Sequence, residues 1–286
     1  MFAPADDNVE QRLDRLEHAF PEYLRAFNTK PPFRDFQLQD HRRTLELLSS
    51  FTSASDAARD GGFADSLADT LKSWGVGAER HNGALVPPPE FREQLKSISL
   101  DVAGLEHLRI DDPAMDEERA ARLVWLIIKD LDIVRCKGRP VERKVVSGTK
   151  TLHHLLPNLV FPIDNEYTGT FFEWTDFGHH PEEHFGSVFR QVAAIARAVS
   201  PQSYVGEGWN SSISKVLDNA IVGFCLSEGL MSRNKSRNKE KKAIIRTIHK
   251  LAKQMGREDL LEPGRSDELI KWMLKELPGA ELPPQS

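Results

Sequence analysis

Cysteine is scarce in this chain: Cys136 and Cys225 are the 2 present in 286 residues. They are far apart and form no metal-type spacing. A disulfide framework and a four-cysteine iron–sulfur cluster are both excluded. A reducing cytoplasm is the expected location. Long apolar runs are missing too. The longest, Leu123 to Ile128, falls far short of the ~18 residues a bilayer-spanning helix needs, so no membrane partner is expected. The stretch MFAPADDNVE is acidic where a secretory signal would be basic and then apolar, so no such signal is expected. Nothing in the composition calls for a cofactor. Charge of one sign is also lacking: the net charge is −5, and no global basic field announces a nucleic-acid partner.

The charge that is present is unevenly placed. Between Arg233 and Arg257 lie 10 Lys/Arg and a single acid, Glu240, so this segment carries +9 and the rest of the chain −14. Arg233, Lys235, Arg237, Lys239, Lys241, Lys242, Arg246 and Lys250 are candidate phosphate contacts. Asymmetry of this kind points to DNA or another polyanion as partner. A basic amphipathic helix from Ala243 whose Ile/Leu stripe packs on a core accounts for the same residues without a partner.

Apolar residues recur at helical spacing almost throughout. Val9, Leu13, Leu16, Phe20, Leu24 and Phe27 mark a first helical stretch capped by Asn8, with a kink or a break expected at Pro21. Further helices are expected over Leu38–Phe51, over Phe63–Trp74 with Gly75 and Gly77 as stops, and over Glu90–Ser99. Asp116–Val134 has an acidic first turn and is then apolar nearly all round, which suggests the centre of a domain. Pro181 begins another helix, and Ser211 or Ser212 caps one whose inward face carries Ile213, Val216, Leu217, Ala220, Ile221 and Phe224. No strand alternation is evident, and Pro162 limits Leu159–Ile163 to a short extended piece. The expected fold is all-α: a multi-helix orthogonal bundle with regions 1–112 and 113–230, joined as one body, and a basic helical C-terminal appendage over 231–286. Oligomeric state is not specified by any of these patterns.

The chemistry concentrates in Val145 to Asp164, VVSGTKTLHHLLPNLVFPID. A small-residue turn at Ser147 and Gly148 leads into a helix bearing Lys150, His153 and His154. A proline-bounded apolar run then ends on Asp164. Backbone N–H groups at a helix start favour an anion, and a partly buried lysine there has its charged form disfavoured. Such an amine can attack a carbonyl-level carbon, with Asp164 taking a proton or facing developing positive charge. The bland alternative is a solvated Lys150 and an Asp164 that caps the next helix.

The run GTKTLHHLLPNLVFPIDNEYTGTFF, residues 148–172, resembles the helix–hairpin–helix DNA glycosylases. The resemblance implies an all-α fold, DNA as substrate and glycosylase or lyase chemistry. It makes Gly148 the second hairpin glycine, with Gly148 and Thr149 on the phosphate backbone, Lys150 the Schiff-base lysine and Asp164 the catalytic aspartate. Val146 stands where that family has its first hairpin glycine, and the Lys150–Asp164 spacing is shorter than the family's. The chain as a whole also looks like bacterial all-helical proteins.

Two other patterns compete. His179, His180 and His184 form HHPEEH, where an i, i+4 pair can face a metal, as in a metal-dependent hydrolase. A histidine-rich surface helix start explains the same residues. Gly206 and Gly208 precede a Ser-capped helix in which Ser-Ile-Ser-Lys echoes Ser-Gly-Thr-Lys, which makes Lys215 a further phosphate contact. The remaining alternative is a non-enzymatic helical binding protein in which the Val145–Asp164 stretch is a structural junction. The adjacent His153 and His154 point in different directions, so one buried and one exposed ring are expected.

Overall fold

A computed structural model describes residues 8–77, 83–141, 144–174 and 180–231, together with Lys253. The chain divides into two compact units, Met1–Met231 and Ser232–Ser286. The basic segment from Arg233 to Lys250, with each of its candidate phosphate contacts, lies outside the described residues. The first unit is all-α apart from a small sheet, with 12 α-helices among the described residues.

The chain opens on α1 (Val9–His18) and α2 (Phe20–Thr29). Asn8 caps α1, exchanging hydrogen bonds with Gln11 in both directions. Pro21 lies in the first turn of α2, where its missing N–H is harmless, so the proline separates two helices instead of kinking one. Next come α3 (Asp35–Ser49), the short α4 (Ala54–Arg59) and α5 (Gly61–Ser73). Gly75 has φ +79°. Its N–H donates to Lys72 O and that of Val76 to Leu71 O, a Schellman closure that ends α5. After α6 (Pro88–Ser97) and α7 (Ser99–Ala103) come α8 (Glu117–Asp130), capped by Asp116, then α9 (Val145–Leu155) and α10 (Tyr167–Phe171). The unit closes with α11 (Pro181–Val199), a 3₁₀ turn at Pro201–Tyr204, and α12 (Ile213–Ser227), capped by Ser212.

Two expectations are corrected. Strands do occur: β1 (Ala84–Leu85), β2 (Val134–Cys136) and β3 (Arg139–Pro140) form an antiparallel sheet in the order β1-β2-β3. Strands of two or three residues are too short to print an alternation. The β2–β3 hairpin turns on Lys137 (φ 52°) and Gly138 (φ 77°), both left-handed, as a two-residue primed turn requires. Leu159–Ile163 is not part of the sheet. Second, α8 is not the buried centre of the fold. Leu123 is 38% and Leu126 44% exposed, so α8 shows one face to solvent. The helix enclosed on every side is α12, in which each residue from Ile213 to Cys225 is buried.

Enclosure of α12 depends on close approach to α2. A Cβ on Gly223 would stand 2.0 Å from Tyr23 O, so only hydrogen lets the backbones meet. Gly148 does the same for α9 against α8: a Cβ there would lie 2.8 Å from Ile128 Cγ2. The two contacts differ in what must yield. Gly223→Ala meets backbone, while Gly148→Ala meets a side chain that can be trimmed. Gly148→Ala should destabilise the protein by about 1–3 kcal/mol, and by less when made in an Ile128→Ala background, which lacks both of the Cγ atoms that the new methyl meets. Gly223→Ala should lose more, with no side-chain change on α2 restoring it. Urea denaturation midpoints of the variants check both halves of this expectation.

Candidate functional site

Lys150 and Asp164 line the same cavity, about 50 Å³ in volume and open to solvent on one side. Lys215 and Asp218 of α12 line it as well, under the rings of Trp74 and Trp209. Five separate stretches of chain contribute: the loop before α3 with the first turns of that helix, the C-terminal end of α5, α9, the run leading into α10, and the Trp209–Asp218 region.

Lys150 enters from the middle of α9. Its Nζ donates to Trp74 O at 3.0 Å and lies 5.9 Å from the centroid of the Trp74 indole. Trp74 is the C-cap of α5, so the amine meets one of the carbonyls that a helix end leaves without an intrahelical partner. Among the described residues no carboxylate comes within ion-pair distance of Lys150. Burial lowers its pKa from the ordinary lysine value. Asp164 and Asp218 oppose that shift, and Lys215 adds to it. A neutral amine still donates to Trp74 O while keeping its lone pair.

Asp164 carries a structural duty. Its Oδ1 accepts from Tyr167 N at 2.6 Å and Thr168 N at 3.2 Å, and Thr168 Oγ1 accepts from Asp164 N at 3.3 Å. The carboxylate therefore fastens the start of α10, as the bland reading of the sequence has it. It spends one oxygen there, and no hydrogen bond from a described residue reaches Oδ2.

Lys215 is not where a phosphate contact would be. It is 1% exposed, and its Nζ lies 2.5 Å from Asp218 Oδ2, with Asp218 itself only 4% exposed. The ammonium also faces three rings, with centroids at 5.1 Å (Phe33), 5.4 Å (Trp74) and 5.2 Å (Trp209). A strongly hydrated cation removed from water needs both a counter-charge and polarisable faces, and it has them here. Burial raises the pKa of Asp218, and Lys215 works against that rise. Sequence reasoning passed over Asp218, Trp74 and Trp209 as site residues. The available signal was a Lys–Asp pair at i, i+3 inside an otherwise apolar helix.

Gly148 and Thr149 lie inside α9, which begins at Val145, ahead of the turn expected at Ser147 and Gly148. The Gly148 N–H donates to Lys144 O at 2.8 Å. Thr149 Oγ1 donates to Val145 O at 2.7 Å and accepts from Ile163 N at 3.1 Å. Both residues are buried, and these groups are engaged within the protein.

The histidines correct a further expectation, because His153 and His154 are both fully buried. His153 turns toward α12, its Nδ1 3.0 Å from both Val160 O and Ser214 Oγ. His154 turns toward α3. Its Nδ1 is 2.7 Å from Lys150 O and its Nε2 3.0 Å from His41 Nδ1, while His41 Nε2 is 2.7 Å from Ser211 Oγ. Carbonyls only accept, so the tautomers follow: His154 carries its proton on Nδ1, His41 carries its own on Nδ1, and the Ser211 hydroxyl donates into His41 Nε2. Burial holds His41 and His153 well below the ordinary histidine pKa and brings His154 down to about 4. Of the other histidine cluster, two members are described. His180 is left-handed at the start of α11 and exposed, His184 stacks on Trp174 at 5.6 Å, and His179 lies outside the described residues. No group of three metal-ligating side chains occurs among the described residues, and no described helix is long and apolar enough to cross a membrane.

No family model, no curated protein and no solved structure matches the chain.

The three buried histidines set a pH dependence. Each titrates near 6.5 when unfolded and lower when folded, so below about pH 6.5 the unfolded chain binds more protons. Stability should fall as pH drops from about 6.5 toward 4, by up to about 4 kcal/mol per pH unit while all three contribute. Asp218, raised by burial, acts in the opposite sense as a single group. Denaturation free energies measured across this range check the slope, which should flatten in His154→Gln.

Proposed function

We propose that this chain is a DNA-binding protein with lyase-type amine chemistry at Lys150, in the manner of the helix–hairpin–helix glycosylases. The observation that carries the reading is the meeting of Lys150 and Asp164 at one solvent-connected cavity, with the amine outside any ion pair to a described residue. Lys215 matters to this, because its bond to Asp218 engages the other buried carboxylate.

The reaction suited to these groups is attack on an aldehyde carbon, such as C1′ of an abasic deoxyribose. The lone pair of Lys150 Nζ forms the new C–N bond. The carbonyl oxygen takes up protons and leaves as water, and an iminium cation remains. Asp164, with Oδ2 outside the capping bonds, faces that positive charge and passes protons to and from the leaving oxygen. A cavity of about 50 Å³ has room for a few waters by volume and suits a sugar carbon better than an intact base ring. The lyase step is therefore the part of the glycosylase resemblance that this geometry supports. The +9 segment between Arg233 and Arg257 supports DNA as the polyanion, through salt-sensitive contacts with phosphate.

A second reading has its own observation. Lys150 binds a helix-end carbonyl and Asp164 caps a helix, so both residues also suit a non-enzymatic binding protein in which this stretch is a junction.

Borohydride trapping on abasic-site DNA separates the two. The lyase reading expects a covalent adduct at Lys150 that disappears in Lys150→Ala and falls at least tenfold in Asp164→Asn, with both variants folded. Absence of adduct from the folded wild-type protein ends the lyase reading. DNA retention that survives Lys150→Ala but weakens with salt, and when the 233–257 lysines are neutralised, then supports the binder.

A further inference from the structure

Two lysines share this cavity, and burying a second ammonium beside a reactive amine needs a reason. Asp218 lines the same cavity as Lys150. A buried carboxylate takes whatever cation is nearest, because an unpaired charge away from water is strongly unfavourable. If Asp218 paired with Lys150, it would hold a proton on that amine and remove the nucleophile.

The structure places another cation there first. Lys215 precedes Asp218 by one helical turn on α12, and their atoms meet at 2.5 Å. The rings of Phe33, Trp74 and Trp209 close over the same ammonium at 5.1–5.4 Å. Trp74 serves both lysines: its indole lies 5.4 Å from Lys215 Nζ and 5.9 Å from Lys150 Nζ, and its carbonyl receives the Lys150 amine. The arrangement fixes one lysine in an ion pair and leaves the other without a carboxylate partner.

We propose that Lys215 is a positioning residue for Lys150: by holding Asp218 in a closed ion pair beneath the aromatic cage, it denies Lys150 a carboxylate and keeps its amine available for reaction. This rests on the reading of Lys150 as the reactive amine. The charged and titratable groups around Lys150 are consistent with it. Asp164 approaches from the run before α10 but has one oxygen committed to Tyr167 and Thr168. His41 on α3 and His154 on α9 are held neutral by burial. Asp218 and Lys215 on α12 are the pair itself. Burial lowers the pKa of Lys150, and Asp218 stands among the groups that resist that lowering, as the proposal requires.

The test reads the amine directly. Trace acetylation by acetic anhydride, quantified at Lys150 by peptide mass spectrometry against an added reference amine, gives the pH midpoint of that one side chain in the full-length protein. Lys215→Met should raise the midpoint by at least about one pH unit, because Asp218 then turns to Lys150. Lys215→Met/Asp218→Asn should return it to the wild-type value or below, and Lys215→Arg, which keeps the ion pair, should leave it unmoved. An unchanged midpoint in Lys215→Met, or a raised one in the double variant, overturns the proposal. If Lys215→Met does not fold, Lys215→Gln carries the same test: a raised midpoint supports the proposal and an unchanged or lowered one overturns it. A wild-type protein that gives these shifts but traps no abasic DNA loses the lyase reading while keeping the Lys215 assignment.

Discussion

A helix enclosed on every face has nowhere to place a charge except against another charge. That constraint governs α12. From Ile213 to Cys225 every residue is buried, and the hydrogen on Gly223 lets α2 approach closely on one side. Within that enclosure sit Ser214, Lys215, Asp218 and Asn219, and each must find its partner inside the protein. Ser214 donates to the carbonyls of Pro157 and Val160. Asn219 donates to Trp209 O and Asn210 Oδ1. Lys215 and Asp218 satisfy one another. The polar groups of α12 thereby fix the Trp209 loop and the run before α10 against it, and the cavity is the space left between them.

Much of this body is legible in the chain because the signals are local. Asn8 and Ser212 cap the helices they precede, an acidic first turn marks the start of α8, Pro21 divides α1 from α2, and Gly75 closes α5. What is not legible depends on partners distant in sequence. The apolar density of α8 suggested a central helix, but density along a chain does not say how many faces are covered, and Leu123 and Leu126 remain in contact with water. The stripe on α12 looked like an ordinary one-sided helix, because residues that turn inward by pairing with each other resemble residues that turn outward to solvent. Lys215 was misplaced for that reason. Both imidazoles of His153 and His154 are buried because α9 has packed neighbours in two directions, α3 and α12, which adjacent positions in a sequence do not reveal. The hairpin at Lys137–Gly138 escaped notice because its strands are too short to have a period.

Under the proposed reading, structural and chemical duties coincide in single residues of the candidate site. Lys150 completes the end of α5 and Asp164 the start of α10, so each is fixed by the helix it serves. A side chain held in this way loses little further freedom when it meets a substrate, and pre-organisation of that kind underlies effective nucleophiles and electrostatic partners. The capping bonds are thus compatible with reactivity. They leave one oxygen of Asp164 uncommitted and, once Lys150 gives up its proton, the lone pair of its amine as well.

The histidine chain behind α9 carries a consequence for proton traffic. Its donors all point one way, from the Ser211 hydroxyl through His41 and His154 to the carbonyl of Lys150. A carbonyl has no proton to return and none to hand on, so this line of hydrogen bonds ends at the backbone, short of the amine on the same residue. Any proton exchange at the Lys150 amine therefore runs through the groups that line the cavity and not through the histidines.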